Sequence, residues 1–437
     1  MIKTSVLYGA GDVAFLIFWQ GAALFLLYFY TDIIGLPPLL AGGLILLGLI
    51  WDGVTDPVFA ALADRKMAQG FGYLKMISLV APFIGISYIL LFTSIDGPLW
   101  LKAVWALLTH LLFRTAFGLA SMPYNALPTR LSLQSSQRDA LTAARVVGAG
   151  LGGLSVAIAT PLIVNRFGDG AAAYTLAAAV FGLLATGALL LTGRGLTDPG
   201  IAPLCRQADG PIHLALQGLV RSVKANRPFQ QLLGVMVTAM LGFGAFTASL
   251  VYFVNASPMM TDFIPLALAA PTLATILAAP VWPLMARLRS KRDALVTGAL
   301  VAAIALTSLM AANSAWMVLA GLIVAGAGLA AIPVMLWSMM ADTVDHGHSL
   351  TGERIEARAF GLMTLVQKIA SGLAVIIVAS GFTLFQAAAS QAEDPAIISR
   401  MFISLFPAAC LALTAWIASG YTLDDAAHAA AVENLQK

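Results

Sequence analysis

Two aspartates lie in a stretch of sequence that is otherwise apolar. Asp52 and Asp56 are four residues apart, a spacing that places both carboxylates on one face of a helix. Two carboxylates so close either share a proton or hold a cation between them. Such a pair responds to proton or cation concentration. The same pair could instead be structural, with basic side chains as partners.

A second polar stripe recurs every three or four residues, at His110, Arg114, Gly118, Ser121 and Asn125. This spacing puts the stripe on one face of a helix. An arginine in the middle of an apolar helix needs hydrogen-bond acceptors. We therefore expect Arg114 to pair with Asp52 or Asp56. The alternative is that its side chain extends to the membrane surface.

Three further ionisable residues interrupt apolar segments. Lys368 lies about ten residues inside its segment, too deep to reach the surface easily, which favours a role in a site or an ion pair. Arg145 could donate to a substrate anion or hydroxyl, or could anchor its helix at the membrane surface. Asp12, with Leu16 and Gln20 on its face, is either a pathway acid or a cap at the interface.

Composition identifies the elements that hold these residues. The 437-residue chain is 60% hydrophobic and 10% charged, whereas soluble domains carry about 25% charged residues. Its mean hydropathy is +0.89. A soluble core cannot hide that much apolar surface, so we predict an all-α membrane protein in a lipid bilayer. The net charge of +3 and the two cysteines argue against a nucleic-acid partner and a disulfide scaffold.

Twelve segments have the length of about 20 residues that a membrane-spanning helix needs: residues 8–31, 38–63, 74–95, 98–127, 140–164, 170–193, 228–254, 263–286, 293–312, 314–341, 358–385 and 398–421. Gly148 and Gly152 form a small-xxx-small pattern that predicts close helix contact. The first segment is too long for the apolar core of a cleavable signal peptide.

The longest polar stretch, residues 194–227, separates two halves of six helices, residues 1–193 and 228–421, and residues 422–437 form a tail. Paired halves of this kind are typical of major facilitator transporters. Apolar residues at helical spacing within the stretch predict a short amphipathic helix on the membrane surface: Ile212, Leu216, Leu219 and Val223.

Most of the 24 lysines and arginines fall on one side of the predicted spans. The opposite side carries only Lys102, Arg166 and Arg400. Because cytoplasmic loops are enriched in basic residues, this pattern predicts a cytoplasmic, bacterial-type inner membrane protein with both termini in the cytoplasm.

Other chemistry is sparse. The histidines form no metal-ligand set, and His346 and His348 are expected in a solvated loop. The sequence has no Gly-Lys-Ser phosphate loop, which argues against ATP-driven transport. The sequence also has no Ser/His/Asp pattern of the kind that surrounds a catalytic nucleophile. We therefore expect neither an enzyme nor a cofactor.

Four groups of residues resemble motifs of the glycoside–pentoside–hexuronide:cation symporters, the melibiose-carrier-like branch of the major facilitator superfamily. The similarity covers most of the chain. The matching stretches are residues 8–12 with 28–32, residues 51–57, residues 122–127, and residues 341–347 with 351–354 and Lys368.

The resemblance implies roles for several residues. Asp52 and Asp56 would form the site of the coupling cation, with Arg114 as our predicted partner. Arg145 and Lys368 would belong to a charged lining between the halves. A cytoplasmic gate would consist of Asp342, Asp345, Glu353 and Arg354. The substrate set that we predict is Asp12, Leu16, Gln20, Ser121, Tyr124, Asn125, Arg145 and Lys368.

The chain also departs from the family pattern. Galactoside-transporting members have acids at the positions of Leu16 and Ser121, and sodium-using members offer neutral oxygen ligands at those of Thr55 and Gly118. A glycine has no side chain to offer, and Arg114 lies one turn away, so H⁺ is favoured over Na⁺. The missing acids make the lining more positive, which favours an anionic substrate such as a hexuronide.

The sequence thus predicts a monomeric, cation-coupled symporter that carries a small sugar-like or acidic glycoside by alternating access. H⁺ fits its residues better than Na⁺ as the coupling ion. A carrier of lysolipids or other amphipathic anions is the first alternative. An uncoupled facilitator is the second.

Overall fold

A computed structural model describes residues 2–131, 135–168, 170–197, 223–351, 356–389 and 396–423. Across these ranges the chain is helical and contains no strand. Its helices are α1 Ile2–Tyr28, α2 Pro38–Ala68, α3 Tyr73–Leu91, α4 Leu99–Leu131, α5 Ser135–Phe167, α6 Ala171–Gly195, α7 Arg227–Ala256, α8 Ile264–Ala278, α9 Val281–Leu288, α10 Lys291–Ser308, α11 Ala315–Leu329, α12 Ala331–Thr351, α13 Glu356–Ala389 and α14 Ala396–Ser419.

Eleven helical segments of the described chain are long and apolar enough to cross a bilayer, and a shorter apolar one, Ile403–Ser419, lies in α14. These segments match the twelve predicted spans. The predicted amphipathic helix falls almost wholly within residues 198–222, outside the described residues. The boundaries of the linker and the tail stay predictions.

Two predicted spans are each built from two consecutive helices. α8 ends before Pro280, and α9 begins directly after it. Pro333 occupies the third position of α12, where its missing N–H cannot bond to the preceding turn of α11. The expectation that His346 and His348 lie in a loop is wrong, because α12 continues to Thr351.

Asn226 supports the end of α12 that contains these histidines. Its side-chain amide donates to the carbonyl of Thr343 at 2.7 Å, while its oxygen accepts from Phe229 N at the start of α7. A Cβ at Gly347 would lie 2.7 Å from the Asn226 amide nitrogen. The missing side chain therefore lets α12 pass close to Asn226 and remain helical.

The packing repeats between the two halves. In the first half α1 contacts α5 and α6, and in the second α7 contacts α13 and α14 in the same way. The pairs α3–α6 and α2–α4 likewise match α10–α14 and α8–α11. The main contacts between the halves are α2 with α13 and α5 with α8. A twofold rotation exchanges these two pairs, so the fold is two pseudo-symmetric halves of six spans.

The halves touch at the face where α1 leads into α2, which we call the distal face; the opposite face, where α1 begins, is the N-terminal face. Thr31 and Tyr252 share a hydrogen bond of 2.5 Å between their hydroxyls. Tyr28 packs edge-on against Tyr252, with ring centroids 5.3 Å apart. This distal contact joins the end of the first span to α7.

The close contact between α1 and α5 follows from glycines. A methyl group at Gly148 would collide with the carbonyl oxygen of Gly9, and one at Gly152 would collide with that of Val13. The predicted small-xxx-small contact is therefore confirmed, and it brings the residues of α1 within reach of Arg145 on α5.

We expect Gly148→Ala to destabilise the protein by about 1–3 kcal/mol, because overpacking forces the two backbones apart. The measurement is thermal denaturation of the purified protein in detergent. Gly187→Ala is the matched control, since a Cβ at Gly187 meets nothing within 4 Å. Equal stability of the two variants would contradict the packing described here.

Candidate functional site

Asp52 lies in α2 with 2% of its surface exposed. Arg114 of α4 donates from Nη1 to Asp52 Oδ2 at 3.0 Å, and 7% of the arginine side chain is exposed. The predicted pairing is therefore present for Asp52. The alternative, an arginine that reaches the membrane surface, does not fit this burial.

Arg114 is held by its own helix as well. Its Nε donates to His110 Nε2 at 3.0 Å, and its guanidinium lies 5.5 Å from the centre of the Trp19 ring. Because His110 Nε2 accepts this bond, it carries no proton, and the hydrogen of the neutral imidazole is assigned to Nδ1. His110 therefore orients Arg114 without adding a charge.

Lys368 connects the two halves. Its Nζ forms an ion pair with Asp56 and lies 3.7 Å from Asp52 Oδ2. Lys368 is on α13 of the second half, whereas both aspartates are on α2 of the first. We placed Lys368 in the substrate set; the structure instead places it against the two carboxylates of the predicted cation site.

The Asp52 cluster, which we define as Asp52, Asp56, His110, Arg114 and Lys368, has two acids and two permanent cations. When all four are ionised it carries no net charge, so the buried charges are compensated. Asp52 Oδ1 is buried and has no hydrogen-bond partner among the described residues. One acceptor atom of the cluster is therefore unused.

A second charged group lies within the first half. Arg145 of α5 binds both oxygens of Asp12 of α1, through Nε at 3.0 Å and Nη2 at 3.2 Å. Nη2 also donates to Asn125 Oδ1 at 3.0 Å. The hydroxyl of Tyr124 lies 2.5 Å from Asp12 Oδ2. We call Asp12, Tyr124, Asn125 and Arg145 the Asp12 cluster.

Exposure divides the predicted substrate residues. Asp12, Ser121 and Tyr124 are 4%, 6% and 1% exposed, so in this structure they are not lining residues as predicted. Tyr124 stacks on Tyr8, with ring centroids 4.8 Å apart, and its hydroxyl donates to the Tyr8 carbonyl. This packing, which no local sequence pattern shows, turns Tyr124 inward.

Other predicted residues remain accessible. The Arg145 side chain is 34% exposed, Asn125 is exposed, and Leu16 and Gln20 are half-buried. A Cβ on Gly153 of α5 would lie 3.8 Å from Gln20 and 3.7 Å from Thr272 of α8. Gln20 is therefore at the junction of the two halves.

The two clusters lie at different depths. At 1.5 Å per helical residue, Asp52 is about 20 Å along α2 from the distal end of that helix. Asp12 is about 30 Å from the distal end of the first helical span, which continues past α1 to Ile33. The Asp12 cluster is thus nearer the N-terminal face. It belongs to one half, whereas the Asp52 cluster joins both.

The family model described as "MFS/sugar transport protein" matches residues 7–425. The chain belongs to this family of membrane transporters. Like the family as a whole, it is a transporter of small molecules within a lipid bilayer and not an enzyme. The family assignment agrees with the symporter resemblance that its sequence motifs indicated.

Three comparisons illustrate the range of similar proteins. The chain is 28% identical to the glucuronide carrier protein homolog of Escherichia coli (strain K12), over 97% of this chain and 93% of that protein. It is 24% identical to the sodium-dependent lysophosphatidylcholine symporter 1-A of Danio rerio, over 97% and 86%. A bacterial homolog of the human lysosomal transporter Spinster, solved inward-facing and unoccupied, has a TM-score of 0.67 at 14% identity, over 100% and 97%; this likeness shows the fold.

The predicted gate of this sugar transport family member is only partly described. Asp342 of α12 pairs with Lys291 of α10 at 2.5 Å, so this ion pair joins two helices of one half. The side chain of Asp345, and all of Glu353 and Arg354, lie outside the described residues. The sequence analysis missed Lys291, although its position next to Arg292 on the basic side marks it as a candidate.

Arg114→Gln should destabilise the protein by about 3–5 kcal/mol, because it leaves a buried carboxylate with a weakened set of partners. The double variant Asp52→Asn/Arg114→Gln should recover part of this loss, since the two amides can pair. Thermal denaturation in detergent measures both. Arg65→Gln, at an exposed position, is the control, and a fully additive double variant would contradict the pairing.

Proposed function

We propose that this transporter is a proton-coupled symporter of an anionic, sugar-like substrate and works by alternating access. The observation that carries the proposal is the contact of Lys368, on the second half, with Asp52 and Asp56 on the first. A movement of α13 away from α2 would lengthen the distances from Lys368 Nζ to the two carboxylates. The charge state of the two acids is therefore linked to the arrangement of the halves.

The link has a simple physical basis. A cation shifts a conformational equilibrium only if it binds the two states with different affinity. While Lys368 is in place, it neutralises the carboxylates; when it is withdrawn, a proton can neutralise them instead. Proton binding and lysine contact thus compete, which gives the proton a different affinity for each arrangement of the halves.

The oxygen atoms near the cluster favour a proton over sodium. Asp52 Oδ2 already accepts from Arg114, and the Thr55 hydroxyl donates to the Trp51 carbonyl at 2.8 Å. Gly118, beside Asp56, adds no ligand. A metal ion needs several free oxygens, whereas a proton needs one acceptor, such as the unpartnered Asp52 Oδ1.

The Asp12 cluster supports an anionic substrate. Arg145 is partly exposed, and no described residue accepts from its Nη1. Guanidinium groups bind carboxylates and phosphates through paired, charge-assisted hydrogen bonds. One relative is named as a glucuronide carrier homolog, and a glucuronide carries a carboxylate on a sugar ring. Another is named for lysophosphatidylcholine, an amphipathic zwitterion that contains a phosphate, which keeps a carrier of lysolipids as the second candidate.

The orientation follows from the basic residues. Arg65, Lys66 and Lys75 lie at the N-terminal face, as do Arg287 and Arg289. Since cytoplasmic loops are enriched in Lys and Arg, we assign this face to the cytoplasm of a bacterial-type inner membrane. The distal contact then closes the outer side, and the substrate reaches Arg145 from the cytoplasmic side in this arrangement.

Asp52→Asn should abolish uphill accumulation while exchange of substrate across the membrane persists, because the amide cannot bind and release a proton. The measurement is uptake into proteoliposomes under an imposed pH gradient without sodium. Asp96→Asn, in the exposed distal connection between α3 and α4, is the control. Full accumulation by the Asp52 variant would refute the coupling role.

Arg145→Gln should raise the KM for an anionic substrate about 10- to 100-fold, the effect of losing hydrogen bonds to a charged group. A screen of methyl glucuronide, methyl glucoside and lysophosphatidylcholine identifies the transported class. Arg145→Lys should restore part of the affinity, because it keeps the charge but not the paired geometry. An unchanged KM in the glutamine variant would remove Arg145 from the substrate site.

A further inference from the structure

A cavity of about 360 Å³ lies between the halves on the distal side. Its walls come from α1, α5 and α6 of the first half and from α7 and α8 of the second. The volume is within the range of about 300–1,000 Å³ that is usual for small-molecule sites. Its lining includes aromatic rings and uncharged polar side chains: Phe25, Tyr28, Thr160, Asn165, Tyr174 and Asn255.

This distal cavity is separate from both charged clusters, since none of its lining residues belongs to either. Asn165 lies two residues before the end of α5, and Asn255 is the residue before the end of α7. Both asparagines are exposed. The cavity is therefore close to the distal surface and within reach of a solute on that side.

Several polar groups in the cavity have no hydrogen-bond partner among the described residues. Thr160 is 5% exposed, and its hydroxyl bonds to no other described residue. The amides of Asn165 and Asn255 are likewise without a hydrogen bond inside the described part of the chain. The Thr160 hydroxyl and the two amides line the cavity, so their hydrogen-bonding capacity is free for water or for a ligand from outside the chain.

The chemistry of the wall limits what that partner can be. None of the lining residues that the structure describes carries an ionised side chain, so a charged ligand would lose hydration without gaining a counter-charge from them. The rings of Phe25 and Tyr28 lie 6.5 Å and 6.4 Å from that of Tyr174. Flat apolar surfaces next to amides and a hydroxyl fit a ring that has apolar faces and a hydroxylated edge.

We propose that the distal cavity is a binding site for a neutral, hydroxyl-rich ring such as a pyranoside. It is distinct from the site proposed at Arg145, and a neutral ring is a second ligand, different from the anionic substrate proposed above. The binding itself depends only on the cavity.

The position of Tyr28 connects this site to the contact between the halves. Tyr28 lines the cavity and also packs against Tyr252, whose hydroxyl bonds to Thr31. Since the cavity walls belong to both halves, a movement that separates Tyr28 from Tyr252 must also reshape the cavity. A bound ring is therefore sensitive to the arrangement of the halves.

The test is calorimetric titration of the full-length protein with methyl β-glucopyranoside, in lipid nanodiscs so that no sugar detergent competes. We expect measurable binding, and Thr160→Val and Asn255→Leu should each weaken it about 3- to 10-fold, the effect of one lost hydrogen bond. Thr109→Val is the control, because that buried hydroxyl bonds to backbone carbonyls of its own helix. Asn165→Ala gives a surface variant whose folding is not at risk.

No binding to the wild type, or unchanged binding in all three cavity variants, would overturn the proposal. Equal weakening by Arg145→Gln and Thr160→Val would also overturn it, because the ring would then occupy the Asp12 cluster. Binding that survives Arg145→Gln but not the cavity variants would support it. Failure of proton-driven uptake alone would contradict the proposed function and leave this binding result unchanged.

Discussion

The attraction between Lys368 and the two carboxylates of α2 is the constraint on which the arrangement of the halves depends. It joins α2 to α13 in a buried place, where an unpaired charge is costly. Glycines make the approach of the two helices possible: a Cβ at Gly42 would lie 3.1 Å from Ala379, and one at Gly372 would collide with Leu46. Small residues therefore set the distance, and under the proposed mechanism the charges would make that distance depend on protonation.

The two charged clusters have different mechanical properties. The Asp12 cluster is built from α1, α4 and α5, which all belong to one half, so a rearrangement of the halves need not change its geometry. The Asp52 cluster has partners in both halves, so the same rearrangement would change its geometry. In the mechanism that we propose, the Asp12 cluster recognises the substrate and the Asp52 cluster senses the coupling ion. His110, which fixes Arg114 within the first half, leaves Lys368 as the partner that moves.

Much of this could be predicted from the sequence because the bilayer imposes strong local rules. Apolar length gave the spans, and the stripe at three- and four-residue spacing gave the pairing of Arg114 with Asp52. The contact of Lys368 with Asp56 joins residues 312 apart, and no local pattern encodes it. The inward turn of Tyr124 depends on its stacking against Tyr8, a residue far away in the sequence. The distal cavity arises only when α1, α5 and α7 meet.

The most direct test of the central claim measures the distance between the two halves as the Asp52 cluster is protonated. Spin labels would be attached at positions 75 and 289, on the N-terminal face of the first and the second half. Pulsed electron paramagnetic resonance in lipid nanodiscs would then measure the distance between the two labels. If protonation of the Asp52 cluster is coupled to movement of the halves, the relative populations of the measured distances should change between alkaline and acidic pH. This change should occur without sodium or substrate. A distance distribution that stays the same across this pH range would contradict the account.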